Sequence, residues 1–251
     1  MSACATYINI TPDTIEQEHI CCIIREKKIH PGIEAKRQWL ANRLHEGHLF
    51  RKLQVKGSVF IEYAPLSHAW VPIEGDSYMY IYCLWVSNEF THQGYGKELL
   101  NYCIKDALEK GMSGICMLGS KKQKHWLADQ SFAKKHGFKV VDTTEDGYEL
   151  LALSFDQTQP SFCKHAKAQQ IDEQELTIFY DMQCPFIYQN IEKIKTFCLT
   201  NDIPLHLHKI DTLQKAKELP CVFNNYGVFY KGKFVSVNLL DTKTIQKMIA
   251  I

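Results

Sequence analysis

The chain has 251 residues, a formal charge of +1, 45% hydrophobic and 23% charged residues. That length accommodates one large domain or two small ones without disulfide support, and the near-zero charge argues against a nucleic-acid binder relying on bulk charge. No run reaches the roughly 18 uninterrupted apolar residues of a membrane span. The opening Met1-Ser2-Ala3-Cys4-Ala5-Thr6 carries neither a basic region nor an apolar signal stretch. Ten cysteines are scattered among apolar neighbours, as at Cys83, Cys103 and Cys116, and neither Cys-x-x-Cys nor Cys-x-x-His occurs. The expectation is a cytoplasmic protein with reduced thiols and no metal site.

In chain order, residues 6–10 read as a short strand, and Thr11-Pro12-Asp13 has the cap-plus-proline form that opens a helix reaching the His19 region. A second helix is expected over 34–46, stopped by Gly47. Strands over 49–55 and 58–64 flank a Lys56-Gly57 turn. Tyr78 to Val86 is too continuously apolar for a surface strand and should be central. Leu99, Leu100, Cys103, Ala107 and Leu108 then recur at helical spacing until Gly111. A strand over 113–119, a helix over 125–136 and a hairpin over 139–155 follow.

Residues 156–172 are polar and without periodicity and read as a linker. Beyond them come a strand (176–180), a helix (185–200), a strand (205–210), a short helix (212–218), two strands around a Lys231-Gly232 turn, and a helix from Thr242. This βαβαββα order is a thioredoxin-like plan. The expected division is 1–155, a linker over 156–172, and 173–251, with α/β (α+β) architecture in both parts.

The most informative stretch is Asn-Glu-Phe-Thr-His-Gln-Gly-Tyr-Gly-Lys, residues 88–97, between the central strand and a helix. Glycine lets backbone approach a ligand closely, and the free N–H groups of a helix start favour phosphate. A dinucleotide fingerprint would need glycine where Leu99 stands. A Walker loop would need glycine at Thr91 and a hydroxyl residue at Glu98. The pattern instead resembles the pyrophosphate loop of the GNAT family of acetyl-coenzyme A-dependent N-acyltransferases. Val86, Phe90, Gly94 and Gly96 match, while Asn88, Thr91 and His92 replace the usual proline, arginine or glutamine, and glycine. Ser131 to Phe138 resembles the family's second signature. Phe60 to Pro65, Cys83 to Ser87 and the C-terminal part together resemble its YoaP-like branch, a GNAT domain followed by a small thioredoxin-like one.

The resemblance implies a GNAT fold with a mixed central sheet and acetyl transfer from acetyl-coenzyme A to a small-molecule or peptide amine, with no nucleic acid or membrane as partner. The cofactor would lie along Leu84, Trp85 and Val86, with its pyrophosphate on Thr91, His92, Gln93, Gly94, Tyr95, Gly96 and Lys97. Ala133 stands where the family often has a tyrosine acid. Glu62, inside an apolar run, is the candidate base, because a buried carboxylate is costly unless used or paired; the alternative is a solvent-facing edge position. Tyr78, Tyr80 and Tyr82 share one strand face and read as core or pocket wall, with His68 and His125 as reserves on loops. Cys184, before Pro185 at a helix start, is a candidate reactive thiol, since helix N–H groups stabilise thiolate. Ile187 replaces a resolving cysteine, and Cys221 is a possible second sulfur. The alternative function is therefore a thiol-dependent binding or redox protein that only senses acyl-coenzyme A, and for Cys184 a scaffold role.

Overall fold

The computed structural model describes residues 6–23, 29–75, 77–122, 124, 126–127 and 129–250. The first sheet contains β1 (Tyr7–Asn9), β2 (Leu49–Leu53), β3 (Val59–Pro65), β5 (Tyr78–Val86), β6 (Gly114–Ser120), β7 (Lys139–Thr143) and β8 (Tyr148–Ser154). Its order is β1-β2-β3-β5-β6-β8-β7, antiparallel except for the β5–β6 pair. Helices α1 (Gly32–Leu44), α2 (Tyr95–Glu109) and α3 (Gln130–Lys135) belong to this half. The apolar stripe read from the sequence places α2: Leu99, Leu100, Cys103 and Ala107 are buried where the helix packs on β3, β5 and β6.

The second sheet has order β11-β10-β12-β13, built from β10 (Leu176–Tyr180), β11 (Leu205–Lys209), β12 (Tyr226–Tyr230) and β13 (Lys233–Ser236). The β10–β11 pair is parallel and the others antiparallel. Three helices accompany it: α5 (Pro185–Thr200), α6 (Leu213–Lys217) and α7 (Thr242–Ile249). Pro185, whose missing N–H costs nothing in a first turn, starts α5, and Ile187, Ile191, Ile194 and Cys198 form its buried stripe.

The two halves share a core. Val222, Phe223 and Val237 pack in one cluster with Leu66, Tyr80 and Leu118. Helix α1 lies against α5, and a Cβ at Gly32 would sit 1.8 Å from the Pro185 carbonyl oxygen, so the two backbones approach as only glycine permits.

Three segments differ from expectation. Residues 12–17 form hydrogen-bonded turns rather than a helix, with Thr14 and Gln17 donating to Thr11 and Thr14. The residues buried there, Ile10, Ile15 and Ile20, recur every five positions and make no helical face. The stretch read as a linker carries β9 (Ser161–Phe162), paired with β4 (Ile73–Glu74), and α4 (Lys164–Ala168). It buries Phe162, Cys163 and Ala166 and ties Lys167 to Asp142 at 2.6 Å. Elements this short leave no periodicity to read. The helix expected from 125 begins at Gln130, where the Asp129 carboxylate accepts from the Ser131 N–H at 2.8 Å. His125 lies outside the described residues.

Candidate active site

Strand β5 pairs with β6 only from Tyr78 to Ile81, opposite Gly114 to Met117. Beyond that point the two strands part, while β5 stays bonded to β3 as far as Val86. The parting begins at a bulge: Glu62 faces Cys83 and Tyr63 faces Ile81, so Tyr82 has no partner of its own. Such an extra residue re-aims neighbouring side chains and bends the strand. The opened edge leads to a cavity of about 860 Å³ lined by Leu84 and Val86, by every residue of the loop from Thr91 to Lys97 except Gln93, and by Ala133, Lys135 and His136 of the α3 region.

The loop is braced by its own side chains. The Thr91 hydroxyl donates to the Asn88 carbonyl at 2.8 Å, and the Gln93 amide donates to the Glu89 carbonyl at 2.9 Å. His92 takes φ 62°, the left-handed conformation that explains a glycine in the family pattern. Gly94 caps α2 with φ 90° and no side-chain cap, and a Cβ there would meet nothing within 4 Å. Glu98 is the first residue whose N–H reaches back into the turn, to Gly94. The N–H groups of Tyr95, Gly96 and Lys97 therefore start the helix without an intrahelical acceptor. The ring of Trp85, 44% exposed, is turned by alternation to the opposite side of β5, while its backbone stays on the edge that parts from β6.

Glu62 is not at a solvent edge; it is fully buried and completely partnered. Lys36 Nζ donates to both its oxygens, at 2.8 and 3.1 Å. His48 Nε2 donates to Oε1 at 3.1 Å, and Gln183 Nε2 to Oε2 at 3.0 Å. Burial alone would raise the Glu62 carboxyl, but Lys36 and His48 outweigh it and bring it down to about 2. Burial likewise opposes charge on Lys36, yet Glu62 holds the ammonium above its ordinary value, while burial keeps His48 low and neutral. A carboxylate bound by this many donors is a weak proton acceptor. Lys36, His48 and Gln183 escaped sequence reading because nothing in their neighbourhoods signals a partner on another element.

A second cavity, about 630 Å³, opens on the other side of the parted strands. Ile81, Leu84 and Met117 line both cavities. Tyr80, Tyr82 and Trp85 face this chamber, as do Cys184, Pro185 and Phe186 at the start of α5. Tyr78 instead donates its hydroxyl to the Thr158 carbonyl at 2.6 Å and accepts from Ser154 Oγ at 2.7 Å. Cys184 sits at the helix N-cap as expected and lines this second chamber. Burial pushes its thiol up to about 12, outweighing the Phe186 N–H at the helix start. Cys221 is also pushed up by burial to about 12, and it donates to the Phe223 carbonyl. Asp181, fully buried beside them, is raised by burial to about 7 although the Gln183 N–H and Asn224 donate to it. His68 is exposed in a turn and lines neither cavity.

Comparison with known proteins places the chain in a family. The acetyltransferase (GNAT) family model matches residues 13–138, and the YoaP-like model matches residues 204–247. The uncharacterized N-acetyltransferase YoaP of Bacillus subtilis (strain 168) is 34% identical over 245 residues, covering 97% of this chain and 98% of its own. Among solved structures, the PaiA N-acetyltransferase of Thermoplasma acidophilum in complex with coenzyme A is similar at 19% identity and TM-score 0.43. It covers 61% of this chain and 100% of that one. A GNAT acetyltransferase of Brucella melitensis in complex with acetyl-coenzyme A gives 13% identity and TM-score 0.42, with coverages of 65% and 97%. With a family model spanning half its length and a relative alignable nearly end to end, the chain belongs to the acetyltransferase (GNAT) family and is an acyltransferase.

Proposed function

We propose that this chain is a cytoplasmic N-acetyltransferase that takes its acetyl group from acetyl-coenzyme A and passes it to an amine. The observation that carries the reading is the parting of β5 from β6, which leads straight to the uncapped start of α2. The unpaired edge of β5 from Leu84 to Val86 suits a pantetheine arm. The N–H groups of Gly94 to Lys97 and the side chains of Lys97 and Lys135 suit the phosphates. Open space beside the Gly94 Cα fits a group that must come close to backbone.

Acetyl-coenzyme A supplies the activated acyl group; the chain supplies position and proton handling. Ala133 presents a methyl group to the cleft, so the departing thiol takes its proton from water. Glu62, held low by Lys36, serves as an orienting carboxylate for Lys36 and Gln183 rather than as a base. The amine therefore loses its proton to solvent. Turnover at subsaturating amine should rise with pH along that amine's own ionisation, with no step at a carboxylate value. The C-terminal half reads as a thioredoxin-like module on its strand order, and the raised thiol of Cys184 speaks against thiol chemistry as its role. That the nine cysteines among the described residues are unbridged supports a reducing compartment.

Gly94→Val tests the cofactor site, since it puts a branched side chain into the open space. Calorimetry should show coenzyme A binding weakened about tenfold or more, roughly 1.4 kcal/mol. Unchanged affinity in a folded variant would place the cofactor elsewhere.

A further inference from the structure

The second chamber is built by both halves of the chain. The N-terminal half contributes the rings of Tyr80, Tyr82, Trp85 and Trp126, and the C-terminal half contributes Phe186 and Phe223. Its polar groups include three carboxamides, Gln183, Asn224 and Asn225, beside four thiols, two tyrosine hydroxyls and two lysines, and Asn225 Nδ2 donates to Gln183 Oε1 at 2.6 Å. Gln183 in turn donates to Glu62, so this far wall is fastened to the buried ion pair of the first half. Phe186 packs edge-on against His30 at 5.5 Å and tilted against Trp126 at 6.1 Å, and the Trp126 indole N–H donates to the Val237 carbonyl at 3.1 Å. Among the described lining residues no carboxylate appears, and the ammonium groups of Lys36 and Lys124 are engaged by Glu62 and Asp146.

We propose that this chamber is the acceptor site and that the C-terminal module supplies its selecting wall, for a small monoamine carried on an aromatic body. The inference rests on the acetyltransferase reading for its chemistry, since Ile81, Leu84 and Met117 line both the chamber and the cofactor cleft. Size and chemistry set the class. A volume of about 630 Å³ is that of a small-molecule site, and aromatic walls bind rings by offset and edge-on contacts. Carboxamides satisfy one amine and its hydrogens without charge. A polyamine would bring further positive charges to a chamber with no carboxylate to receive them, beside two ammonium groups.

The full-length protein is titrated with phenethylamine, followed by quenching of tryptophan fluorescence, which Trp85 and Trp126 report from the walls. Spermidine is titrated in parallel. Phenethylamine should saturate the signal and spermidine should not. Phe186→Ala removes a ring that is 36% exposed, so the fold is retained; it should weaken phenethylamine binding about tenfold while calorimetry shows acetyl-coenzyme A affinity unchanged. Spermidine binding as tightly as phenethylamine would overturn the proposal, as would an unchanged phenethylamine affinity in the variant. Thiol release from acetyl-coenzyme A is read separately. Phenethylamine binding without any release supports the chamber and counts against the transferase reading alone.

Discussion

The glycine loop and the Glu62 cluster both present polar groups among apolar neighbours, yet they are made in opposite ways. From Thr91 to Lys97 the chain does everything locally: a bulged strand ends, side chains bond carbonyls three and four residues back, and a helix begins with its N–H groups unspent. At Glu62 nothing is local. Its partners come from α1, from β2's approach at His48, and from the start of α5, 26, 14 and 121 residues away. The first arrangement leaves donors free and suits ligand binding. The second occupies both oxygens of the carboxylate with donors from both halves and suits holding them together. An ionisable group gains reactivity from what its surroundings leave undone.

The difference can be broken most visibly at Cys184. If burial governs, its thiol at about 12 instead of the usual 9 has about a thousandfold less thiolate at neutral pH, and alkylation should be slower by about that factor than for an exposed thiol. Fast labelling of Cys184 would mean that the helix start prevails over burial. Next in size is Lys36→Met, which strands Glu62 as an unpaired buried charge. Chemical denaturation should show a loss of about 3–5 kcal/mol, felt in both halves because Gln183 shares the carboxylate. A loss below 1 kcal/mol, the level of a surface pair, would reduce the cluster to a bystander. Gly32→Ala forces α1 away from the Pro185 carbonyl and should cost about 1–3 kcal/mol by overpacking, while the cofactor loop keeps its affinity for coenzyme A.

The smallest effect concerns pH. Asp181 has its carboxyl raised in the folded state, so it favours folding when protonated, and that contribution is lost as pH rises from about 4 through about 7. Glu62 runs the other way: its depressed carboxyl contributes above its ordinary 4.5, and the contribution is lost as pH falls through about 2. Asp181→Asn should add on the order of 1 kcal/mol above pH 7 and fade toward pH 4, measured as denaturation midpoints across that range. A gain that persists at pH 4 would have a cause other than ionisation.

Much of the fold was legible where one element declares itself by period. Strand β5, helix α5 and strand β10 lie where their patterns place them, because continuous apolar runs and an i, i+4, i+7 stripe survive without tertiary context. The glycine loop was legible for a related reason: its conformation and its uncapped helix start are set by neighbouring residues. Glu62 could be singled out as anomalous, but its role could not, since Lys36 on α1 looks like any surface lysine and Gln183 like any loop glutamine. The same limit hid β4 and β9, each two residues long, whose pairing across the chain is the only reason they exist. Phe162 and Cys163 are buried because of that pairing, not because of any pattern around them.

Ile81, Leu84 and Met117 line both cavities. A shared wall makes the occupancy of one side a boundary condition for the other. A ligand in either cavity meets these same side chains, so the two proposed bindings are expected to be thermodynamically linked through them. Linkage is symmetrical: the factor by which acetyl-coenzyme A alters the affinity for a molecule in the chamber equals the factor by which that molecule alters the affinity for acetyl-coenzyme A. Three side chains thus carry the coupling, and shortening Met117 to alanine should move the coupling constant in both directions of measurement by the same amount.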